Sequence, residues 1–168
     1  MPQSISTMVQ SCDTYFYRLA VDMGIDSMHD YFSHFGFGQA TGIDLMGESS
    51  GLLPSKAWKA KRFKQPWYQG ETVIAGIGQG YHLTTPLQLA VATAMFANGG
   101  TRVAPRLVQA IRDPQTRQWV PQPAVVGDKL TLKPAHYEAV RRAMIDVLRP
   151  GGTASAAAAG ASYVMAGK

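Results

Sequence analysis

Three side chains with reactive groups stand side by side early in the chain: Ser11, Cys12 and Asp13, within the stretch QSCDTYFYRLA. Apolar residues follow at the three- and four-residue spacing of one helix face, which places the triplet at a helix start. A serine hydroxyl and an aspartate carboxylate can accept hydrogen bonds from the free amides of a first helical turn. On the triplet alone we predict that Ser11 and Asp13 cap this helix, and any further chemistry depends on residues elsewhere.

Cys12 is the one cysteine of the chain, which excludes an internal disulfide and a zinc ribbon of paired cysteines. Its thiol leaves three interpretations open: a small buried apolar group, a reactive thiol, or one ligand of a metal whose other ligands lie elsewhere. His29 and His34 are five residues apart and do not share a helix face. We therefore assign no metal site and no cofactor to this chain.

The composition is that of a folded domain with a modest positive charge. The chain has 168 residues, 46% of them hydrophobic, and a formal net charge of +5. Much of the basic charge lies in the run KAWKAKRFK, residues 56–64, which is typical of a solvated basic face. A basic nucleic-acid binder is the alternative, but the chain shows no aromatic-basic recognition motif. We expect no nucleic-acid partner.

The elements around the triplet are predicted to be helices. No helix or strand is predicted ahead of Ser11. The first helix runs to Gly24, a second begins with Asp26 or Ser27 as its cap and closes at Gly36, and LLPSKAWKAKRF forms an exposed third helix. The inner face of the first helix would consist of Phe16, Leu19, Ala20 and Met23.

The strongest local signal is a helix start at Thr85. Thr85 as N-cap, Pro86 at the first helical position and Gln88 three residues after the cap together make a capping box. The run NGG, residues 98–100, ends this helix. The glycines of GIGQG, just upstream, do not match a phosphate-binding loop, because no G-x-x-x-x-G-K-[ST] pattern is present.

Segments with strand-type residues lie ahead of and beyond this helix. ETVIAG has β-type residues, and TRVAP, RLVQAIRD and RQWVPQ look like strands, the last two joined by a turn at Asp113 and Pro114. A helix begins near Pro134 and is ended by RPGGT, and a β-type run, Tyr163 to Ala166, leads to Lys168. We predict an α+β fold in which helices pack on a mainly antiparallel sheet.

Several segments together resemble the transpeptidase domain of class B penicillin-binding proteins, and within them the elongation-type enzymes of rod-shaped Gram-negative bacteria. The segments are QSCDTYFY, FGFGQATGIDL, RFKQPWYQGET, GIGQGYHLTTPLQLA and VMAGK. The resemblance covers nearly the whole chain. It implies the fold shared by serine β-lactamases and penicillin-binding transpeptidases. Residues 1–168 are then expected to be a partial transpeptidase domain, truncated at both ends.

The resemblance also implies roles for three residues. Enzymes of this superfamily assemble their active site from Ser-x-x-Lys, Ser-x-Asn or a variant, and Lys-[Ser/Thr]-Gly. Ser11 would relay protons near the nucleophile and the leaving amine, and Asp13 would stand where many relatives have asparagine. Lys168 would begin the third motif and place positive charge near the substrate carboxylate. Ser11, Asp13 and Lys168 are thus the candidate catalytic residues.

The chain departs from the superfamily pattern in one decisive respect. No serine in it is followed by lysine three residues later, so the nucleophile motif is absent. The third motif is represented by Lys168 alone. In relatives of this type, a thiol placed like that of Cys12 can join upstream ligands around a structural zinc, but those ligands would precede Met1. We expect the chain to be catalytically inert by itself.

The implied function of the parent protein is peptidoglycan D,D-transpeptidation through a serine acyl-enzyme. The implied partners are peptidoglycan stem peptides, β-lactam antibiotics and the membrane proteins of cell elongation. The implied location is the periplasmic face of the bacterial inner membrane. Two alternatives remain open: a non-catalytic scaffold module with a penicillin-binding-like shell, and a serine β-lactamase, against which the segments WYQGET and GIGQG argue.

Overall fold

The computed structural model describes residues 3–168, so Met1 and Pro2 lie outside it. Its helices are α1 Gln3–Val9, α2 Asp13–Met23, α3 Ile25–Ser33, α4 Lys56–Phe63, α5 Gln69–Ala75, α6 Pro86–Ala97 and α7 Pro134–Val147. Its strands are β1 Thr101–Val103, β2 Ala110–Arg112, β3 Trp119–Pro121 and β4 Val126–Lys129, and a 3₁₀ turn covers Ser155–Ala158. This combination of helices and antiparallel strands confirms the α+β class.

Helix α1 lies ahead of Ser11, where the sequence predicts no element, so that prediction is wrong. Ile5 and Val9 of α1 are buried against Ala143 of α7. Ile5, Met8 and Val9 do stand at helical spacing, but a seven-residue segment with a single such triplet is a short signal. The helix is stabilised by its contact with α7, which is distant in sequence and therefore invisible to a local pattern.

Helices α2, α3 and α5 share a second core. Ala20 of α2, Met28 of α3 and Ala75 of α5 are buried together. Gly76 directly follows α5, and a Cβ at this position would stand 2.5 Å from the Cβ of Ala20. The absence of a side chain at Gly76 therefore allows α5 to approach α2 closely.

The predicted first two helices are confirmed, but the cap predicted for the second is not. Helix α3 begins at Ile25 with Gly24 as its N-cap, so neither Asp26 nor Ser27 caps it. The Asp26 carboxylate instead accepts a hydrogen bond from the backbone N–H of Lys56, at 3.1 Å. This carboxylate thus joins α3 to the start of α4.

The run ETVIAG is helical, so its β-type residues do not form a strand. It forms most of α5. The Glu71 carboxylate accepts a hydrogen bond from the backbone N–H of Tyr68, the N-cap residue of this helix, at 2.8 Å. Thr72 is buried, and its hydroxyl accepts from the indole N–H of Trp67 at 2.8 Å. The strand preference of β-branched residues is weak and depends on context, and here the helix contacts outweigh it.

The predicted third helix is confirmed as α4, but its basic surface is smaller than expected. Ser55 caps it by accepting from the backbone N–H of Trp58 at 3.1 Å. Lys59 is only 1% exposed. The expectation that residues 56–64 form a fully solvated basic face is therefore wrong at Lys59.

Helix α6 begins with the predicted capping box. The Thr85 hydroxyl accepts from the Gln88 N–H at 3.1 Å, and the Gln88 side chain accepts from the Thr85 N–H at 2.9 Å. Gln88 is buried and also donates to the carbonyls of Gln39 and Ser50, each at 2.8 Å. The Gln88 side chain thus caps α6 and also bonds this helix to the loop between α3 and α4.

The strands form two antiparallel pairs, β1 with β4 and β2 with β3. The predicted turn between β2 and β3 is confirmed: Asp113 accepts from the backbone N–H groups of Gln115 and Thr116, at 2.8 and 2.7 Å. β4 was not expected, because its sequence, VGDK, lacks a strand pattern. Pairing with β1 supplies its hydrogen bonds.

The predicted last helix is confirmed as α7, whereas the β-type run Tyr163–Ala166 is not a strand. A strand needs a neighbouring strand for its hydrogen bonds, and within residues 3–168 none lies beside this run. The Gly167 N–H instead donates to the carbonyl of Met144 in α7, at 3.0 Å. No helix in the described residues is both long and apolar enough to cross a bilayer.

Candidate active site

The turn between α1 and α2 presents Ser11 in a constrained backbone conformation. Ser11 has φ 51°, in the left-handed region that few non-glycine residues adopt. Its N–H donates to the carbonyl of Met8 at 3.2 Å, and the next N–H, of Cys12, donates to that of Thr7 at 2.9 Å. These bonds hold the turn, in which Ser11 is exposed.

The prediction that Ser11 and Asp13 cap α2 is therefore wrong. Cys12 occupies the N-cap position, and no side chain there accepts from the helix. Asp13 is the first residue of α2, where a carboxylate interacts favourably with the helix dipole. Its side chain is exposed, as expected of a group that a ligand could reach.

Lys168 reaches Ser11 from the other end of the sequence. Its Nζ donates a hydrogen bond to the Ser11 Oγ, although the two residues are 157 positions apart. The backbone bond from Gly167 to α7 holds the lysine in place. The structure thus brings together Ser11 and Lys168, two of the three residues singled out from the sequence. The third, Asp13, is the first residue of α2.

A fourth side chain, Thr153, contacts the same group. Its Oγ1 lies 3.4 Å from the Ser11 Oγ and donates to the backbone carbonyl of Val9 at 3.3 Å. Nearby, the side-chain amide of Gln10 donates to the carbonyl of Gly151 at 3.1 Å. Sequence reasoning assigned the stretch RPGGT only to ending α7, and nothing local in it indicates a contact with Ser11.

The chemistry available here is that of a polar, charged, open site. An ammonium group can only donate hydrogen bonds, so Lys168 holds positive charge beside an accepting hydroxyl. A substrate carboxylate would find a positive charge with ammonium donors on this exposed surface. A hydroxyl between two polar neighbours can also pass a proton between them.

The Cys12 thiol lies directly ahead of α2. The thiol is half-buried, and within the described residues no group of three or more His, Cys, Asp or Glu side chains is close enough to hold a metal ion. Closed structural zinc sites need four protein ligands.

Two other carboxylates act as anchors for loops. Backbone N–H groups of Leu107 and Val108 hold the pKa of Asp44 below its usual value, at 2.7 and 2.8 Å from its oxygens. Hydrogen bonds from the hydroxyl and N–H of Thr41 do the same for the pKa of Glu48. Both groups are ionised at neutral pH and are occupied by the chain itself.

Comparison with known proteins places the chain in one family. The model of the penicillin binding protein transpeptidase domain matches residues 5–168. The peptidoglycan D,D-transpeptidase MrdA of Haemophilus influenzae is 42% identical over 162 residues, which cover 96% of this chain and 25% of that protein. The chain therefore spans about a quarter of the length of this curated relative.

Solved structures give the same result. Penicillin-binding protein 2 (PBP2) of Pseudomonas aeruginosa, in complex with WCK 5153, has a TM-score of 0.81 and 41% identity, covering 96% of this chain and 36% of that one. PBP2 of Helicobacter pylori, in complex with MreC, has a TM-score of 0.79 and 31% identity, covering 96% of this chain and 28% of that one. The resemblance and the predicted transpeptidase fold are confirmed, and the chain belongs to the penicillin-binding protein transpeptidase family.

Proposed function

We propose that this chain is part of the catalytic domain of a peptidoglycan D,D-transpeptidase that crosslinks stem peptides through a serine acyl-enzyme. The observation that carries the proposal is the contact between Lys168 Nζ and Ser11 Oγ. Two motif residues from opposite ends of the sequence meet at one exposed point, where a substrate could bind. The MrdA relative is itself described as a D,D-transpeptidase, which supports the reaction class.

The proposed role of Ser11 is to relay a proton between the nucleophile and the leaving amine. Acyl transfer by a serine needs a base when the acyl-enzyme forms and an acid when the amine leaves. Ser11 Oγ accepts from Lys168 and carries one proton of its own, so it can receive a proton on one side and release one on the other. Positioned proton transfer typically contributes about 10² to 10⁴ in rate.

Lys168 and Asp13 have binding roles in this proposal. The Lys168 ammonium attracts the substrate carboxylate and also donates a hydrogen bond to the Ser11 hydroxyl oxygen. The Asp13 carboxylate, exposed at the start of α2, is placed to accept a hydrogen bond from the substrate amide or from the lysine of the nucleophile motif. That motif is absent from these 168 residues, so we propose that the chain alone is inert.

The same proposal extends to partners and location. A family that binds penicillin supports β-lactam antibiotics as acylating ligands of the full protein, and stem peptides as its substrates. The complex of H. pylori PBP2 with MreC supports association with proteins of cell elongation. We place the parent protein at the periplasmic face of the inner membrane, with residues 1–168 as one part of its transpeptidase domain.

The test is covalent labelling by a fluorescent penicillin. We expect the full-length gene product that carries this sequence to be labelled, and the isolated 168 residues to remain unlabelled. Substituting Ser11→Ala in the full-length protein should slow acylation by about 10² or more, because it removes the relay. Lys168→Met should slow acylation by a similar factor, because it removes preorganised charge.

Lys61→Met is the matched control, since Lys61 is an exposed lysine of α4 remote in sequence from both motifs. It should leave the labelling rate unchanged. If the full-length protein takes no label, the transpeptidase proposal fails and the scaffold alternative replaces it. If the isolated chain is labelled, the proposal that it is inert is wrong.

A further inference from the structure

Thr153 contacts the proposed relay serine but belongs to none of the three motifs. It lies in the loop after α7, and its hydroxyl stands between Ser11 and the end of α1. We infer that Thr153 is a positioning residue that fixes the direction of the Ser11 hydroxyl proton. This inference rests on the proposed function, because it assigns to Thr153 an effect that acts only through Ser11.

The direction of the hydrogen bonds follows from counting protons. A threonine hydroxyl has one proton and two lone pairs, whereas a backbone carbonyl can only accept. Thr153 Oγ1 lies 3.3 Å from the carbonyl oxygen of Val9, so its proton is donated there. At 3.4 Å from Ser11 Oγ, the Thr153 oxygen is then left as an acceptor, and Ser11 must be the donor.

The other side of Ser11 is occupied by a donor. Lys168 Nζ donates to Ser11 Oγ, and an ammonium group cannot accept. The hydrogen bonds therefore all run one way, from Lys168 to Ser11, from Ser11 to Thr153, and from Thr153 to Val9. The Ser11 proton is directed at Thr153, and its lone pairs face Lys168 and the open side of the site.

The last acceptor in this series of hydrogen bonds is the backbone carbonyl of Val9. Val9 is the last residue of α1, and the last carbonyls of a helix have no partner within it. The loop that carries Thr153 is held on both sides of it. The Gly152 N–H donates to the carbonyl of Arg149 at 2.9 Å, and the Ala154 N–H donates to that of Val147 at 3.0 Å.

The orientation matters because a relay moves two protons: the Ser11 oxygen accepts one on a lone pair while its own O–H proton leaves to the departing amine. Before that step, Thr153 holds the Ser11 proton and keeps a lone pair toward the side where substrate would bind. As the amine departs, the hydroxyl turns and its proton passes from the hydrogen bond with Thr153 to the amine nitrogen. Without Thr153, the hydroxyl rotates among other acceptors, and fewer molecules are ready to react. A neutral hydrogen bond of this kind corresponds to about a two- to tenfold change in rate.

The experiment measures acylation of the full-length gene product by a fluorescent penicillin at limiting concentration. Thr153→Val keeps the shape of the side chain and removes its hydroxyl, so we expect acylation to slow by about two- to tenfold. Thr153→Ser keeps the hydroxyl and should restore the rate to within about twofold. Thr93→Val is the control, because Thr93 also donates to a backbone carbonyl, that of Leu89, but on an exposed face of α6.

A double variant separates positioning from mere support of the fold. In a Ser11→Ala protein there is no hydroxyl left to orient, so adding Thr153→Val should cause no further slowing. Further slowing by the full factor would show that Thr153 acts on the fold and would overturn the inference. This comparison remains informative even if Thr153→Val lowers stability.

The outcomes also separate this inference from the proposed function. If Ser11→Ala slows acylation and Thr153→Val does not, the inference is wrong and the proposed function stands. A slow Thr153→Ser variant would likewise overturn the inference, since the hydroxyl is present. If Ser11→Ala leaves acylation unchanged, the relay role of Ser11 fails, and the inference fails with it.

Discussion

Lys59 and Glu71 form an ion pair inside the protein that joins α4 to α5. The Lys59 Nζ donates to the Glu71 carboxylate, and the exposed fractions of the two side chains are 2% and 21%. The ammonium also lies 4.3 Å from the centre of the Tyr68 ring, within the range of a cation–π interaction. A lysine that the sequence places on a basic surface is thus a central contact between two helices.

Removing one partner of this pair should destabilise the chain strongly. Lys59→Met leaves the Glu71 carboxylate partly buried without its cation, and breaking such pairs typically costs about 3–5 kcal/mol. Urea unfolding followed by tryptophan fluorescence would measure the loss, because Trp67 lies beside Lys59, at 5.9 Å from its Nζ.

Two further variants test the interpretation. Lys61→Met, on the exposed side of the same helix, should change the free energy of unfolding by less than about 0.5 kcal/mol. Glu71→Gln combined with Lys59→Met should cost less than the sum of the two single changes, since no buried charge remains. A Lys59→Met protein as stable as the unaltered chain would show that the pair is not a stabilising contact.

How far the fold could be predicted depended on whether the deciding contacts were local. Thr85 and Gln88 are three residues apart, so their capping box was visible in the sequence and is confirmed. The burial of Lys59 depends on Glu71 and on rings from Trp67 to Tyr81, none of which belongs to its own helix. Neither this burial nor the helical state of α5 could be read from a local pattern.

The apolar face predicted for α2 shows the same limit. Phe16, Leu19, Ala20 and Met23 do share one side of the helix, yet Leu19 and Met23 remain 40% and 39% exposed. They line an open apolar cavity of about 540 Å³. Helical periodicity predicted which side would be apolar, but the extent of its burial depends on what packs against it.

The residues of the candidate site were predicted from the family resemblance and not from local patterns, and one contacting residue was missed. Ser11, Asp13 and Lys168 are singled out through the family resemblance, and the structure brings Ser11 and Lys168 into contact. Thr153 was missed because nothing near it in sequence indicates a role. Its contact with Ser11 arises only when the loop after α7 folds against the end of α1.

The close approach of α5 to α2 should make Gly76 intolerant of any side chain. Gly76→Ala would place a Cβ 2.5 Å from the Cβ of Ala20 and 3.0 Å from the carbonyl oxygen of Phe16. We expect a loss of about 1–3 kcal/mol in the free energy of unfolding, as in other overpacked cores. Urea unfolding of the two proteins would measure it.

Gly70 supplies the matched control for this substitution. It lies within α5, the helix that Gly76 directly follows, and a Cβ there would meet nothing within 4 Å. Gly70→Ala should therefore stabilise the chain by about 0.5–1 kcal/mol, because alanine has the higher helix propensity. If both alanine variants have the same stability, close packing at Gly76 is not the reason for its glycine.

His82 should make stability depend on pH in the weakly acidic range. Burial lowers the pKa of His82 below its usual value of 6.5, and its ring packs on those of Phe32 and Phe37, with centroids 6.1 and 5.6 Å away. Because the unfolded chain binds the proton more readily, the contribution of His82 is fully present above pH 6.5 and is lost as pH falls through the folded pKa.

The measurement is the urea midpoint of the chain as the pH is lowered from about 7.5 to about 5.5, a range that brackets the ordinary histidine pKa. His82→Phe keeps an aromatic ring and removes the titrating group, so its midpoint should fall less than that of the unaltered chain. His136→Phe, at an exposed position of α7, is the matched control for the exchange of a histidine for phenylalanine. A His82→Phe profile parallel to that of the unaltered chain would contradict the assignment.

Replacing Gln88 should lower the free energy of unfolding more than replacing Thr85, its partner in the capping box. Its side-chain amide donates to the carbonyls of Gln39 and Ser50, and its oxygen accepts from the backbone N–H of Thr85. Gln88→Met fills a similar volume but removes the partner of two carbonyls and one N–H, at up to about 1–3 kcal/mol for each group that stays unsatisfied. Thr85→Ala removes only one cap bond, at about 1 kcal/mol. Urea unfolding of both variants should rank Gln88→Met as the less stable, and equal losses would mean that Gln88 acts only as a cap.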